Sequence, residues 1–161
     1  MRVDVVTAVH EAYAEFVVHA WRSLRAQSHP DWAWLVQIDG PPRRVLDALD
    51  RCGAAGDQRV RVHAHGTREG PAVTRNVALG RATAPLVQNL DADDELEPDA
   101  LETLVAALRR HDTAGFAVGR ARDLLPGGEL VDHPLPVPAG LLPPGTVAQA
   151  WVTEAGRYRL P

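Results

Sequence analysis

No lysine occurs in this 161-residue chain, and all 17 basic side chains are arginine. That rules out a Schiff-base lysine and the lysine of a phosphate-binding P-loop. Ser23 and Ser28 are the only serines, and neither stands in a G-x-S-x-G elbow, so covalent serine chemistry is not expected. Cys52 is the only cysteine. It allows no internal disulfide and excludes multi-cysteine zinc sites; its neighbours suggest a half-buried structural thiol at a helix end. No G-x-G-x-x-G follows the first apolar run, which disfavours a dinucleotide site. That run, Val3 to Val9, is short and interrupted by Asp4, so neither a secretory signal nor a transmembrane segment is visible. The cytoplasm is the default compartment. A net charge of −4 argues against a general nucleic-acid binder, which would carry a basic patch.

What is present alternates. Apolar or β-branched runs at Val3 to Val9, Trp32 to Ile38, Arg59 to His65, Leu86 to Leu90 and Thr113 to Val118 read as strands. Between them, helical stripes cover Glu11 to Gln27, a segment opening at Pro42, Ala72 to Ala82 and Pro98 to Arg110. Strands alternating with helices imply an α/β domain with a mostly parallel sheet and right-handed crossovers. Pro126-Gly127-Gly128 predicts a hairpin within Arg120 to Val131. A proline-rich segment from His133 to Pro144 and a short helix over Thr146 to Ala155 complete the reading. The expected organisation is one domain over 1–161, with a βα core at 1–119 and the hairpin, Pro-rich segment and short helix at 120–161.

The chemistry concentrates in Leu86 to Pro98. There an apolar strand runs into Asp91-Ala92-Asp93-Asp94-Glu95. Open α/β sheets bind ligands where strands end. If the extended backbone continues, Asp91 and Asp93 point the same way. Two such carboxylates suit a hard cation, Mg²⁺ or Mn²⁺. The plainer reading is that these acids favour the start of the next helix. Asp39, at a second strand end before Gly40, and Arg75, in the first turns of a helix opened by Gly70-Pro71, are further candidates. Asp39 has turn chemistry as its plain alternative, and Arg75 simple surface exposure. His63 and His65 share a strand face but lack a third ligand nearby. Carboxylates, a cation and an arginine at one sheet edge would suit a ligand carrying a diphosphate.

Taken in order, these segments resemble the N-terminal part of a family 2 glycosyltransferase with the GT-A fold. Arg68-Glu69-Gly70-Pro71-Ala72-Val73-Thr74-Arg75-Asn76-Val77-Ala78-Leu79 is similar to the family's N-x-G-x-x-x-A-R-N-x-G-L. Leu90-Asp91-Ala92-Asp93-Asp94-Glu95-Leu96-Glu97-Pro98 is similar to its L-D-A-D-D-x-L-x-P. The resemblance covers about residues 3 to 110. It implies a three-layer α/β/α sandwich with a Rossmann-like sheet, truncated at the C-terminus. It also implies inverting transfer of a sugar from a UDP- or GDP-type donor to an unknown acceptor hydroxyl. By the same resemblance Asp93 ligates the metal, and Asp91 contacts the ribose or a metal-bound water. Arg75 lies near the diphosphate and Asp39 near the base, and the backbone around Thr7 to Val9 borders the nucleotide.

The chain departs from the family pattern at several points. Thr7-Ala8-Val9-His10 stands where Pro-Thr-Tyr-Asn is usual, and Ile38-Asp39-Gly40-Pro41 where Asp-Asp-Gly-Ser is usual. Arg68 and Thr74 replace an asparagine and an alanine. No Glu-Asp pair follows Asp94, so no general base is identified; Asp123, Asp132 and Glu154 are among the later acids. The alternative expectation is therefore a nucleotide or nucleotide-sugar binding domain that is non-catalytic or completed by a partner chain or a second copy in a homo-oligomer. A haloacid-dehalogenase-type phosphatase would need a lysine, and an EF-hand would need glycine where Leu96 stands; both are disfavoured.

Overall fold

The computed structural model describes residues 1–132 and, as backbone, 151–154. Its elements in chain order are β1 (Val3–His10), α1 (Val17–Arg25), β2 (Trp32–Asp39), α2 (Arg43–Arg51), β3 (Val60–Ala64), α3 (Pro71–Leu79), β4 (Leu86–Asn89), α4 (Ala100–Arg110), β5 (Phe116–Val118), β6 (Arg122–Leu124), β7 (Leu130–Asp132) and β8 (Trp151–Glu154). Six strands form one sheet in the order β3-β2-β1-β4-β8-β5. The first four are mutually parallel, and β8 runs antiparallel to both β4 and β5. β6 and β7 pair separately as a hairpin around the expected Pro-Gly-Gly turn.

Strands buried on both faces read as continuous apolar runs. β2 shows this best, with all eight residues buried. Alternation along β1 sends Val3, Val5 and Val9 to one side, where Val17, Trp21 and Leu24 of α1, Val45 and Leu49 of α2, and Leu101 and Leu104 of α4 meet them. Val6 points to the other side, with Leu35, Val87 and Ala78 of α3. The fold is thus three layers, with α3 opposite α1, α2 and α4 among the described residues. Trp34 is fully buried, its ring stacked on Trp21 at 5.9 Å between centroids. Each buried aliphatic side chain contributes roughly 1.5–3 kcal/mol of transfer free energy, which is why the first side dominates stability.

Polar side chains tie the layers where the backbone leaves groups open. Asp99, at the start of α4, makes no capping bond through its side chain. Gln27 serves instead: its Oε1 accepts from the Leu101 N–H at 3.0 Å, and its Nε2 donates to the Glu97 carbonyl at 2.8 Å. Near the start of β1 the buried Asp4 carboxylate accepts from the N–H groups of Thr83 and Ala84, fixing the entry to β4.

Two expectations are corrected. The helix expected over Glu11 to Gln27 is divided. A short 3₁₀ turn at Glu11–Tyr13 precedes α1, because the His10 imidazole accepts from the Ala12 N–H and tightens the chain as it leaves β1. The helix expected over Thr146 to Ala155 is replaced at 151–154 by strand β8. Val152 and Thr153 are β-branched, and the open edge of β4 offers them ladder bonds that outweigh local preference. The proline-rich segment lies outside the described residues.

Candidate functional site

The connection from β3 to β4 crosses over β1, so the strand order reverses between β1 and β4. Ligands in open α/β sheets bind in the crevice beyond such a reversal, at the carboxyl ends of the strands. His10, Asp39, His65 and Asp91 all stand at or just past strand ends on that edge, with His10 and Asp39 in register.

The β1–β4 ladder ends at Val6↔Asn89, although the Leu90 N–H still donates to the Val6 carbonyl at 3.0 Å. The chain then turns, the Asp94 N–H donating to the Asp91 carbonyl at 3.1 Å. The extended alternation expected through Asp91 and Asp93 is therefore absent, because the pairing that would sustain it has ended. The Asp91 carboxylate meets the Arg75 guanidinium of α3 at 2.5 Å. Asp93 is exposed on the turn. Asp94 is pushed above the ordinary carboxylate range, first by desolvation and then by the neighbouring Asp91 and Asp93 charges. This crowding of negative charge favours a cation. Among the described residues no group of three His, Cys, Asp or Glu side chains that could hold a metal ion is assembled. The oxygen donors still fit a hard cation of the kind that takes one or two carboxylates and completes its shell with water and phosphate oxygens.

Asp39 is buried, and its carboxylate is occupied by backbone. Oδ1 accepts from the Glu69 N–H at 2.7 Å and Oδ2 from the Gly70 N–H at 3.1 Å. Burial works to raise its pKa, but these bonds and the nearby His65 outweigh it, so Asp39 ionises below the ordinary carboxylate range. Asp39 thereby fixes the loop that delivers α3. Gly70, at φ +89°, makes the turn into that helix, a conformation that favours glycine, and Pro71 opens the first turn.

His65 has a part that strand spacing did not reveal. It leaves β3, and its Nδ1 pairs with Gln37 Nε2 at 3.1 Å. Its Nε2 lies 3.5 Å from both Asp39 Oδ1 and Glu69 Oε2. His63 stays on the strand, exposed. Gln37 Oε1 in turn accepts from Arg81 at 2.7 Å. No local pattern marks Gln37, His65 and Glu69 as a group, since they meet only when β2, β3 and the α3 loop assemble.

Thr7 and Val9 are buried. The Thr7 hydroxyl is fully used, donating to the Leu90 carbonyl at 2.7 Å and accepting from Trp34 Nε1 at 2.8 Å. Only the backbone of this stretch is left to border a ligand. Buried polar atoms without a hydrogen-bond partner include Arg75 Nε and Asn89 Oδ1 on the α3 side of the sheet and Gln88 Oε1 on the other, while His65 Nε2 and Thr74 Oγ1 are near the Asp39 carboxylate. Such orphans are uncommon in a finished core and mark a place that a ligand can complete.

Comparisons with known proteins bear on the family and the fold. TuaG of Bacillus subtilis, a candidate teichuronic acid biosynthesis glycosyltransferase, is 36% identical over 102 residues, covering 62% of this chain and 39% of its own. The crystal structure of S. aureus TarS 1-349 in complex with UDP-GlcNAc superposes with a TM-score of 0.69 at 20% identity, covering 85% of this chain and 37% of that one. The mannosyltransferase PcManGT of Pyrobaculum calidifontis, in complex with GDP-Man and Mn²⁺, gives 0.65 at 22% identity, covering 75% and 35%. The chain thus spans less than two fifths of the length of each of these proteins. Its sheet and flanking helices have the GT-A arrangement. The model of Glycosyl transferase family 2 matches residues 4–146, and the chain belongs to that family.

Proposed function

We propose that this chain forms the donor-binding part of a glycosyltransferase, taking a nucleoside-diphosphate sugar of the UDP or GDP type and passing the sugar to an acceptor hydroxyl with inversion. The observation that carries the reading is the Arg75–Asp91 pair beside Asp93 and Asp94, at the strand-order reversal. Arg75 offers its guanidinium to the diphosphate, and its unpartnered Nε is a donor in waiting. Asp93, with Asp91, would hold Mg²⁺ or Mn²⁺, which when bound supplies charge neutralisation for the departing nucleoside diphosphate. Asp91 accepts from the ribose or from a metal-bound water. Asp39 lies by the base and acts through the loop it fixes, while the backbone of Thr7 to Val9 borders the nucleotide.

TarS with UDP-GlcNAc and PcManGT with GDP-Man and Mn²⁺ support this class of donor and cation. No helix among the described residues is long and apolar enough to cross a membrane, which accords with the proposed cytoplasmic setting. No residue is assigned as acceptor base. The lack of a Glu-Asp pair after Asp94 favours, as second reading, nucleotide-sugar binding without transfer by this chain alone.

Titration of the protein with UDP and GDP, with and without Mn²⁺, tests the proposal, with donor-sugar hydrolysis followed in parallel. Metal-dependent binding is expected, weakened on the order of tenfold or more in Asp93→Ala. Binding without turnover would select the second reading. Failure to bind either nucleotide would sink both.

A further inference from the structure

We infer that Thr7 is a positioning residue whose hydroxyl sets where the chain turns at Asp91. The inference rests on the donor-binding reading above and names a residue that acts on that site from inside the sheet. Thr7 shares its side of β1 with Val3, Val5 and Val9, where a valine would pack equally well. A hydroxyl there, fully buried, is costly unless both of its bonding capacities are met. Both are met, by Trp34 and by Leu90.

The location of the second bond gives the hydroxyl its purpose. Backbone pairing between β1 and β4 has run out by Leu90, whose N–H makes the last bond, to Val6. The Leu90 carbonyl is the next acceptor along the chain, and the Thr7 side chain takes it in place of a backbone donor. One residue later stands Asp91, with its carboxylate on Arg75 and its carbonyl closing the turn to Asp94. Thr7 therefore extends the hold of β1 on β4 by one peptide unit and fixes the point from which the Asp91 turn departs. Trp34 Nε1 donates to the same hydroxyl oxygen, while the Thr7 proton goes to Leu90. Both side chains are fully buried.

The test compares wild type with Thr7→Val, Thr7→Ser and Trp34→Phe. Mn²⁺-dependent UDP and GDP affinity is measured alongside hydrogen exchange at the Leu90 and Asp94 amides. Thr7→Val keeps the shape and removes the bond; affinity is expected to fall on the order of tenfold, with faster exchange at both amides. Thr7→Ser restores both readouts. Trp34→Phe keeps the Thr7–Leu90 bond, so the melting point drops while affinity stays within about twofold of wild type. Thr7→Val binding like wild type, or Thr7→Ser failing to restore binding, overturns the inference. If wild type itself binds neither nucleotide, the donor-binding reading fails, and exchange alone decides the positioning role: unchanged exchange in Thr7→Val overturns it. Should Thr7→Val not fold, Thr7→Ala against Thr7→Ser carries the same contrast.

Discussion

On the side of the sheet covered by α1, α2 and α4, 23 buried apolar residues form one cluster, and Trp21, Trp32 and Trp34 pack ring to ring within it. On the α3 side the corresponding cluster is Val6, Leu35, Ala78 and Val87. The rest of that side is polar: Gln37 reaches Arg81 and His65, Asp39 holds the α3 loop, and Arg75 holds Asp91. Arg75 Nε and Asn89 Oδ1 there lack partners, as does Gln88 Oε1 on the first side, where the indole N–H groups of Trp21 and Trp34 are both bonded. One side supplies the free energy that keeps the domain folded. The other is mostly polar and carries the residues proposed to meet a nucleotide sugar.

Substitutions that break this contrast should differ in size and kind. Trp34→Ala should cost most, about 3–5 kcal/mol by chemical denaturation, since it opens a cavity against Trp21 and removes the donor to the Thr7 hydroxyl. A cost near that of a surface change would mean the first side is not the main source of stability. Asp39→Asn should cost about 2 kcal/mol at neutral pH, because charge-assisted bonds to Glu69 and Gly70 become neutral ones. The sign of its pH dependence follows from the lowered pKa. Asp39 stabilises the fold above its ordinary value of 3.8, and that contribution is lost as pH falls through the lower folded-state value. Denaturation curves of wild type and Asp39→Asn should therefore converge in strong acid; parallel curves down to low pH would refute the assignment. Arg75→Ala should cost least, at most about 1 kcal/mol, because Asp91 is half exposed to solvent. Under the proposed function its effect falls on nucleotide binding, and a large loss of stability would move Arg75 from the site to the scaffold.

The alternation of strands and helices was legible because it depends on local periodicity, and β1 to β4 begin and end within a residue or so of the apolar runs. The strand-end placing of Asp39 and Asp91 followed from the same periodicity. What escaped depends on distant segments. The Asp91–Asp94 turn replaced the expected extended run because β1 stops offering partners at that level. Gln27 as the cap of α4, and His65 beside Asp39, join residues 74 and 26 positions apart. Strand β8 was read as a helix because its partner, β4, lies more than sixty residues earlier in the chain. The bond from the Thr7 hydroxyl to Leu90 likewise joins residues 83 positions apart, and no local pattern marks it.

The insertion of β8 between β4 and β5 also sets an order of events during synthesis. The parallel array β3-β2-β1-β4 is complete in the chain once residue 89 has emerged, but the strand that covers its β4 edge lies beyond residue 150. At roughly 5–20 residues per second on the ribosome, that edge stays uncovered for several seconds. An uncovered strand edge is a template for pairing with any other chain nearby. A nascent chain stalled in this interval, or one cut before β8, would expose the β4 edge beside the Asp91 turn to association with other copies.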